Sequence, residues 1–153
     1  MEVTGAHVLS PYHRGPGSWL RRDYLELGAL DTAPGSARGH VVNVLREWRL
    51  TELAEAAELV VSELVTNSVL ATRAVGWPAR QPPVRLWLLS DRASVLVHVW
   101  DAIPALPMPG DAGMDDESGR GLAIVAALSD AWDSYQDAVF GGKVTWALIT
   151  PLC

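Results

Sequence analysis

The sequence predicts an α/β fold: a two-layer sandwich, with helices packed on one face of a mixed, mostly antiparallel sheet. Three observations carry this. In two segments, one ending near Trp48 and one opening at Thr51, apolar residues recur at three- and four-residue spacing, the period of a helix with one buried side. Short apolar runs bounded by turn residues, such as Val84-Arg85-Leu86-Trp87-Leu88-Leu89, have the character of strands. Along the chain the order is strand, two helices, two strands, long loop, helix, two strands, and helices interleaved this way must cover one face of the sheet.

Each element follows in turn. Residues 1–18 form a loose N-terminal segment, because Gly5, Pro11, Gly15, Pro16 and Gly17 break any period. The rest, 19–153, is expected to be a single domain. Its first strand lies within Trp19–Leu30, around Tyr24, Leu25 and Leu27. Asp31-Thr32-Ala33-Pro34-Gly35-Ser36 then turns into a helix, with cap-type side chains and an early proline, that buries Val41, Val42, Leu45 and Trp48. The second helix opens at Thr51, carries Glu52 and Glu55 near its positive end, and stops before Gly76-Trp77-Pro78. Ser90-Asp91-Arg92-Ala93 joins the next strand to a long one, Ser94–Asp101. Residues 102–118 are rich in Pro, Gly and acid, which suits a lid loop. A short apolar helix over Leu122–Leu128 and two strands, Trp132–Gln136 and Lys143–Ile149, joined at Gly141-Gly142, complete the chain.

Composition narrows the function. The 153 residues hold 12 Lys and Arg against 18 Asp and Glu, a net charge of −6, which disfavours nucleic acid as the main partner. With 49% hydrophobic and 20% charged residues the chain has the balance of a folded domain rather than a disordered one. Cys153 is the only cysteine, which excludes an intrachain disulfide and a cysteine-based zinc cluster. The first twenty residues hold no apolar run of the signal-peptide kind, and no uninterrupted stretch reaches a membrane span's length. A cytoplasmic protein without membrane contact is expected.

Three places carry candidate chemistry. Glu63 and Asn67 are four apart on the second helix and project from one face, where a carboxylate beside a carboxamide suits a hard cation such as Mg²⁺. Asp101 ends a strand and precedes the long loop, a position from which a carboxylate can hold a ligand amine. Ser118-Gly119-Arg120-Gly121 stands at an expected helix start, where free N–H groups favour phosphate and glycines admit it closely. Each also has a plain structural reading: an exposed polar pair, a turn aspartate, a glycine turn.

In combination these segments resemble the GHKL-type ATPase domain, and within it the stand-alone bacterial proteins similar to anti-sigma-factor serine/threonine kinases. The matching stretches are Val61–Val69, Val99-Trp100-Asp101 with Pro104-Ala105-Leu106-Pro107, Ser118–Leu122, and Gly142-Lys143 ahead of Trp146. They come in the family's order, and the resemblance spans roughly residues 20–150, nearly the whole chain. The resemblance implies ATP and Mg²⁺, with Asn67 ligating the metal and Glu63 acting as general base or orienting the attacking hydroxyl. It also implies that Asp101 accepts from the adenine amine, and that Gly119, Arg120, Gly121 and Leu122 close over the phosphates. The implied partners are a small anti-anti-sigma protein as phosphate acceptor, a sigma factor, and a second copy in a homodimer.

The chain departs from that pattern at three points. Ala71 stands where the family often has His, and Ile103 stands where it commonly has a small polar residue. The last-strand hydroxyl falls on Thr145 rather than two positions before the Trp, where Val144 stands; Thr145 is kept among the nucleotide-binding residues, with strand alternation leaving open that it points away from the nucleotide. These departures keep open a second reading, a non-catalytic module that sequesters a regulatory partner with little or no ATP turnover. The four histidines, His7, His13, His40 and His98, form no metal-type spacing.

Overall fold

The computed structural model describes residues 19–107 and 116–152, with 116–119 by backbone alone. Segment 1–18 and most of the expected lid, 108–115, lie outside the described residues. Five strands form one sheet: β1 Arg21–Leu27, β2 Val84–Ser90, β3 Val95–Asp101, β4 Ala131–Gln136 and β5 Lys143–Ile149, in the order β1-β2-β3-β5-β4. Three helices cover one face: α1 Ala33–Glu47, α2 Ala54–Arg73 and α3 Asp116–Leu128. The two-layer α/β sandwich is the fold that forms. Every strand pair is antiparallel, so the parallel pairing that a mixed sheet allows is not used.

The helix period explains the inner layer. On α2 the residues Ala57, Val60, Val61, Leu64, Val65, Ser68, Val69 and Thr72 are all buried, one stripe facing the sheet. Opposite it stand Val84, Leu86 and Leu88 of β2, Val95, Val97 and Val99 of β3, and Ala147 and Ile149 of β5. Alternation places the intervening residues on the outer face, where Leu89, Leu96, Val144, Trp146 and Leu148 form a second apolar cluster.

Boundaries shift in two places. The 51–75 segment opens with a 3₁₀ turn, Thr51–Leu53, before α2 proper. More consequentially, α3 begins at Asp116, so Gly119-Arg120-Gly121 sit inside the helix rather than at its start. The free amides of its first turn therefore come before Gly119 in the chain.

Register builds a row of rings across the outer face, in which Tyr24 faces Trp87, Trp87 faces His98, and His98 faces Trp146. Ring centroids of Tyr24 and Trp87, and of Trp87 and His98, are both 4.9 Å apart. Burial among these rings lowers the His98 pKa to about 4 against the opposing pull of Asp137. Unfolded His98 protonates near 6.5, so between 6.5 and 4 the unfolded chain binds more protons than the folded one. Stability is thus full above pH 6.5 and is expected to fall by about 2–3 kcal/mol as the pH drops towards 4. Urea unfolding at pH 7.5, 6 and 5 measures the slope, and His98→Leu should flatten it; equal slopes in both proteins would contradict this origin.

Candidate functional site

Two cavities open along the α2 and α3 end of the inner layer, and Asn67 lines both. The smaller, about 270 Å³, is walled by Glu63, Thr66, Asn67 and Leu70 from α2 and by Arg120, Gly121 and Ile124 from α3. The larger, about 360 Å³, adds Leu64, Ser68 and Ala71 from α2, Ala105 and Pro107 from the loop after β3, and Leu122, Lys143 and Thr145. Four-residue spacing is what brings Glu63 and Asn67 to one wall of the smaller cavity.

Helices α2 and α3 meet closely there. A Cβ on Gly121 would lie 2.5 Å from Glu63 Oε1, so only glycine lets the carboxylate occupy its position against α3. This accounts for a glycine within the helix, where it weakens the element. Arg120, exposed beside it, brings a cation to the same cavity.

Asp101 is fully buried at the end of β3, beneath the larger cavity rather than on its wall. Directly opposite in the β3–β5 register stands Lys143, whose ammonium lies 2.8 Å from each Asp101 oxygen. Asp101 Oδ1 also accepts from the Ile103 N–H at 2.9 Å, which anchors the first turn of the loop. Ile103 is thus held through its backbone, a contact open to almost any residue.

Thr145 shares the inward face with Lys143 and lines the larger cavity, while Val144 belongs to the outer cluster. Thr145 therefore faces the larger cavity, because the alternation runs inward at 143, 145, 147 and 149. Its hydroxyl lies 3.2 Å from Ser134 Oγ on β4. Of the residues singled out from the sequence, Glu63, Asn67, Arg120 and Gly121 share one cavity, and Asn67, Leu122 and Thr145 the other. Gly119 lies on α3, its surroundings outside the described residues.

Lys143 had no assigned role in the sequence analysis. Its signal was nonetheless present: an inward parity on a strand whose every residue is buried marks a lysine that needs a partner inside.

Comparison with protein families supplies the remaining observation: the model of the histidine kinase-like ATPase domain matches residues 29–148. The chain belongs to this family. The matched span runs from ahead of α1 to within β5, so it takes in both cavities and the Asp101–Lys143 pair. A search of curated proteins finds no match. The histidine kinase-like ATPase domain is therefore the frame in which the site's chemistry is read, and ATP is the ligand this family membership supports. Among the described residues of the ATPase domain no helix is long and apolar enough to cross a membrane. Nor do three or more His, Cys, Asp or Glu gather there into a metal-type group.

Proposed function

We propose that the protein is a Mg²⁺-dependent serine/threonine kinase of the anti-sigma type, transferring the γ-phosphoryl group of ATP to a small anti-anti-sigma protein. The observation that carries this reading is the convergence of Glu63, Asn67, Arg120 and Gly121 on one cavity beside a second one able to take a base. The donor set fits Mg²⁺: the ion takes hard oxygens, commonly one or two from protein with the rest from phosphate and water, so a cluster of three carboxylates is not required. Asn67 would hold it, and when bound the ion neutralises charge on the phosphates.

The chain's own groups do the rest by position and charge. Glu63 orients the acceptor hydroxyl and takes its proton at a carboxylate oxygen. Arg120 offers charge to the phosphates, which are the groups where negative charge is spread during transfer. Gly121 lets Glu63 approach α3, and Leu122 and Thr145 border the space towards the base. A sigma factor as second ligand and a homodimer belong to the same reading.

Calorimetry with ATP, with and without Mg²⁺, tests the nucleotide step, and the absence of any binding with Mg²⁺ would end the proposal. Labelled-phosphate transfer to candidate partners tests the kinase step. Partner binding without transfer would favour the sequestering module instead.

A further inference from the structure

The outer face of the sheet, which the three helices do not cover, carries a cavity of its own, about 420 Å³ in volume. That is room for a small molecule. The pairing register builds its floor. Arg85 on β2 stands opposite Trp100 on β3, Trp100 opposite Val144 on β5, and Val144 opposite Tyr135 on β4. Trp87 and Phe140 add two more rings to the walls. The wall beside Phe140 is pinned: Trp100 Nε1 donates to the Gly141 carbonyl at 2.9 Å, and Asp137 Oδ1 accepts from the Val139 and Phe140 N–H groups at 2.9 and 3.1 Å. Phe140 is nonetheless 81% exposed, a large ring held open to solvent where it borders the cavity.

A cation enters this cavity without a counter-ion. Arg85 lies over the Trp100 ring, 5.3 Å from guanidinium carbon to centroid. Glu26 faces it in the β1–β2 register but accepts from the Tyr24 hydroxyl at 3.3 Å instead. Among the described residues no carboxylate pairs with Arg85. Its Nε is packed away with no hydrogen-bond partner, so a partner for the guanidinium must come to the Nη groups from the cavity side. His98 brings no competing charge, because burial lowers its pKa to about 4 against the pull of Asp137. Burial likewise pushes Tyr135 up to about 12, so its phenol keeps the proton. Asp137, also on the wall, follows β4, and three strand spacings, roughly 14 Å, separate its backbone from that of Arg85. The two charges therefore sort a ligand end to end, with any acid at the Arg85 end.

We propose that the outer cavity is a second ligand site, on the opposite face of the sheet from the two inner cavities, and that it takes a small, flat aromatic carboxylate. The acid pairs with the two Nη groups of Arg85, a planar fork whose spacing matches the two oxygens of a carboxylate. The aromatic body lies among Trp87, Trp100, Tyr135 and Phe140, where offset and edge-to-face contacts favour a ring over an aliphatic group of similar size. Stacking on Trp100 already holds the guanidinium in place, so little freedom is lost when the acid arrives. This site does not depend on the nucleotide reading.

Calorimetry with three probes tests this: naphthoate, naphthylmethanol (the ring without the charge) and cyclohexanecarboxylate (the charge without a flat ring). The wild type should bind naphthoate with a dissociation constant below about 1 mM, and each of the others at least about tenfold more weakly. Arg85→Gln should weaken naphthoate by about tenfold or more and leave naphthylmethanol within about threefold. Trp100→Leu should weaken both, and Phe140→Ala, at an exposed position, serves if that variant does not fold. Saturating ATP with Mg²⁺ should leave naphthoate binding unchanged, because the sheet stands between the sites. A wild type that binds no naphthoate, or binds the alcohol equally well, overturns the proposal. So does an Arg85→Gln variant with unchanged affinity, and so does displacement of naphthoate by ATP, which places the probe in the inner cavities. A wild type that sediments as a dimer, becomes a monomer on Phe140→Ala and ignores naphthoate gives this face to a second copy, and overturns it too.

Discussion

Replacing Gly142 with alanine is expected to lower the melting temperature by roughly 10 °C or more, whereas alanine at Gly141 lowers it by only a few degrees. Both glycines have left-handed backbone, with φ of 74° and 79°, and either alanine takes on the strain of about 1–2 kcal/mol that L-residues meet there. The difference is space. Around Gly141 a Cβ meets nothing within 4 Å, but at Gly142 it would lie 2.1 Å from the Asp101 carbonyl oxygen and 2.9 Å from Ala102 Cα. Both are backbone atoms that no side-chain rotation can move aside. Relief requires prising β5 from the end of β3, so a total of about 3 kcal/mol or more is expected. The same displacement would separate Lys143 from Asp101, so residual folded protein should also bind nucleotide weakly. Thermal unfolding of the two variants side by side decides the matter, and equal shifts would mean that strain alone acts.

Glu63→Gln is expected to reduce phosphoryl transfer by about 10²- to 10⁴-fold, the usual contribution of a positioned general base. That corresponds to about 3–5 kcal/mol in the activation barrier. The amide has nearly the same shape as the carboxylate but cannot take the proton from the acceptor hydroxyl. Nucleotide binding should stay within about threefold of wild type, because a base acts in the transition state rather than in ground-state binding. Gly121→Ala is the companion variant. Its Cβ would displace the Glu63 carboxylate, the far end of a flexible side chain, so α3 should remain folded while transfer falls by at least about tenfold from misplacement. Single-turnover transfer rates beside equilibrium binding separate the two effects, and unchanged transfer in Glu63→Gln would remove Glu63 from the chemistry.

Much of the architecture was legible because its signals are local. The α2 stripe from Ala57 to Thr72 repeats with the helix period, and the inward residues of β2 and β3 alternate, so these three elements emerge from the chain with nearly their true bounds. Glu63 and Asn67 share a cavity for the same reason, since four residues on a helix make a neighbourhood without help from the rest of the fold. The start of α3 was misplaced because glycines at 119 and 121 weaken helix propensity, while the packing that calls for Gly121 comes from α2, 58 residues earlier in the chain. The face of Thr145 stayed open in the sequence because a family comparison by position cannot set the parity of a strand that pairing fixes.

What the sequence alone determined is therefore the set of elements and the two polar groups on α2, which rest on periods of two and 3.6 residues, and the family, which rests on the resemblance of four ordered segments. Tertiary structure decided how distant residues meet. The β3–β5 register sets Lys143 opposite Asp101 across 42 residues, and the closeness of α2 and α3 sets Glu63 against Gly121. Neither contact has a local signal, because each depends on two elements arriving in one place with one alignment. Burial then gives the Lys143–Asp101 contact its weight: away from water, a lysine and an aspartate must satisfy each other.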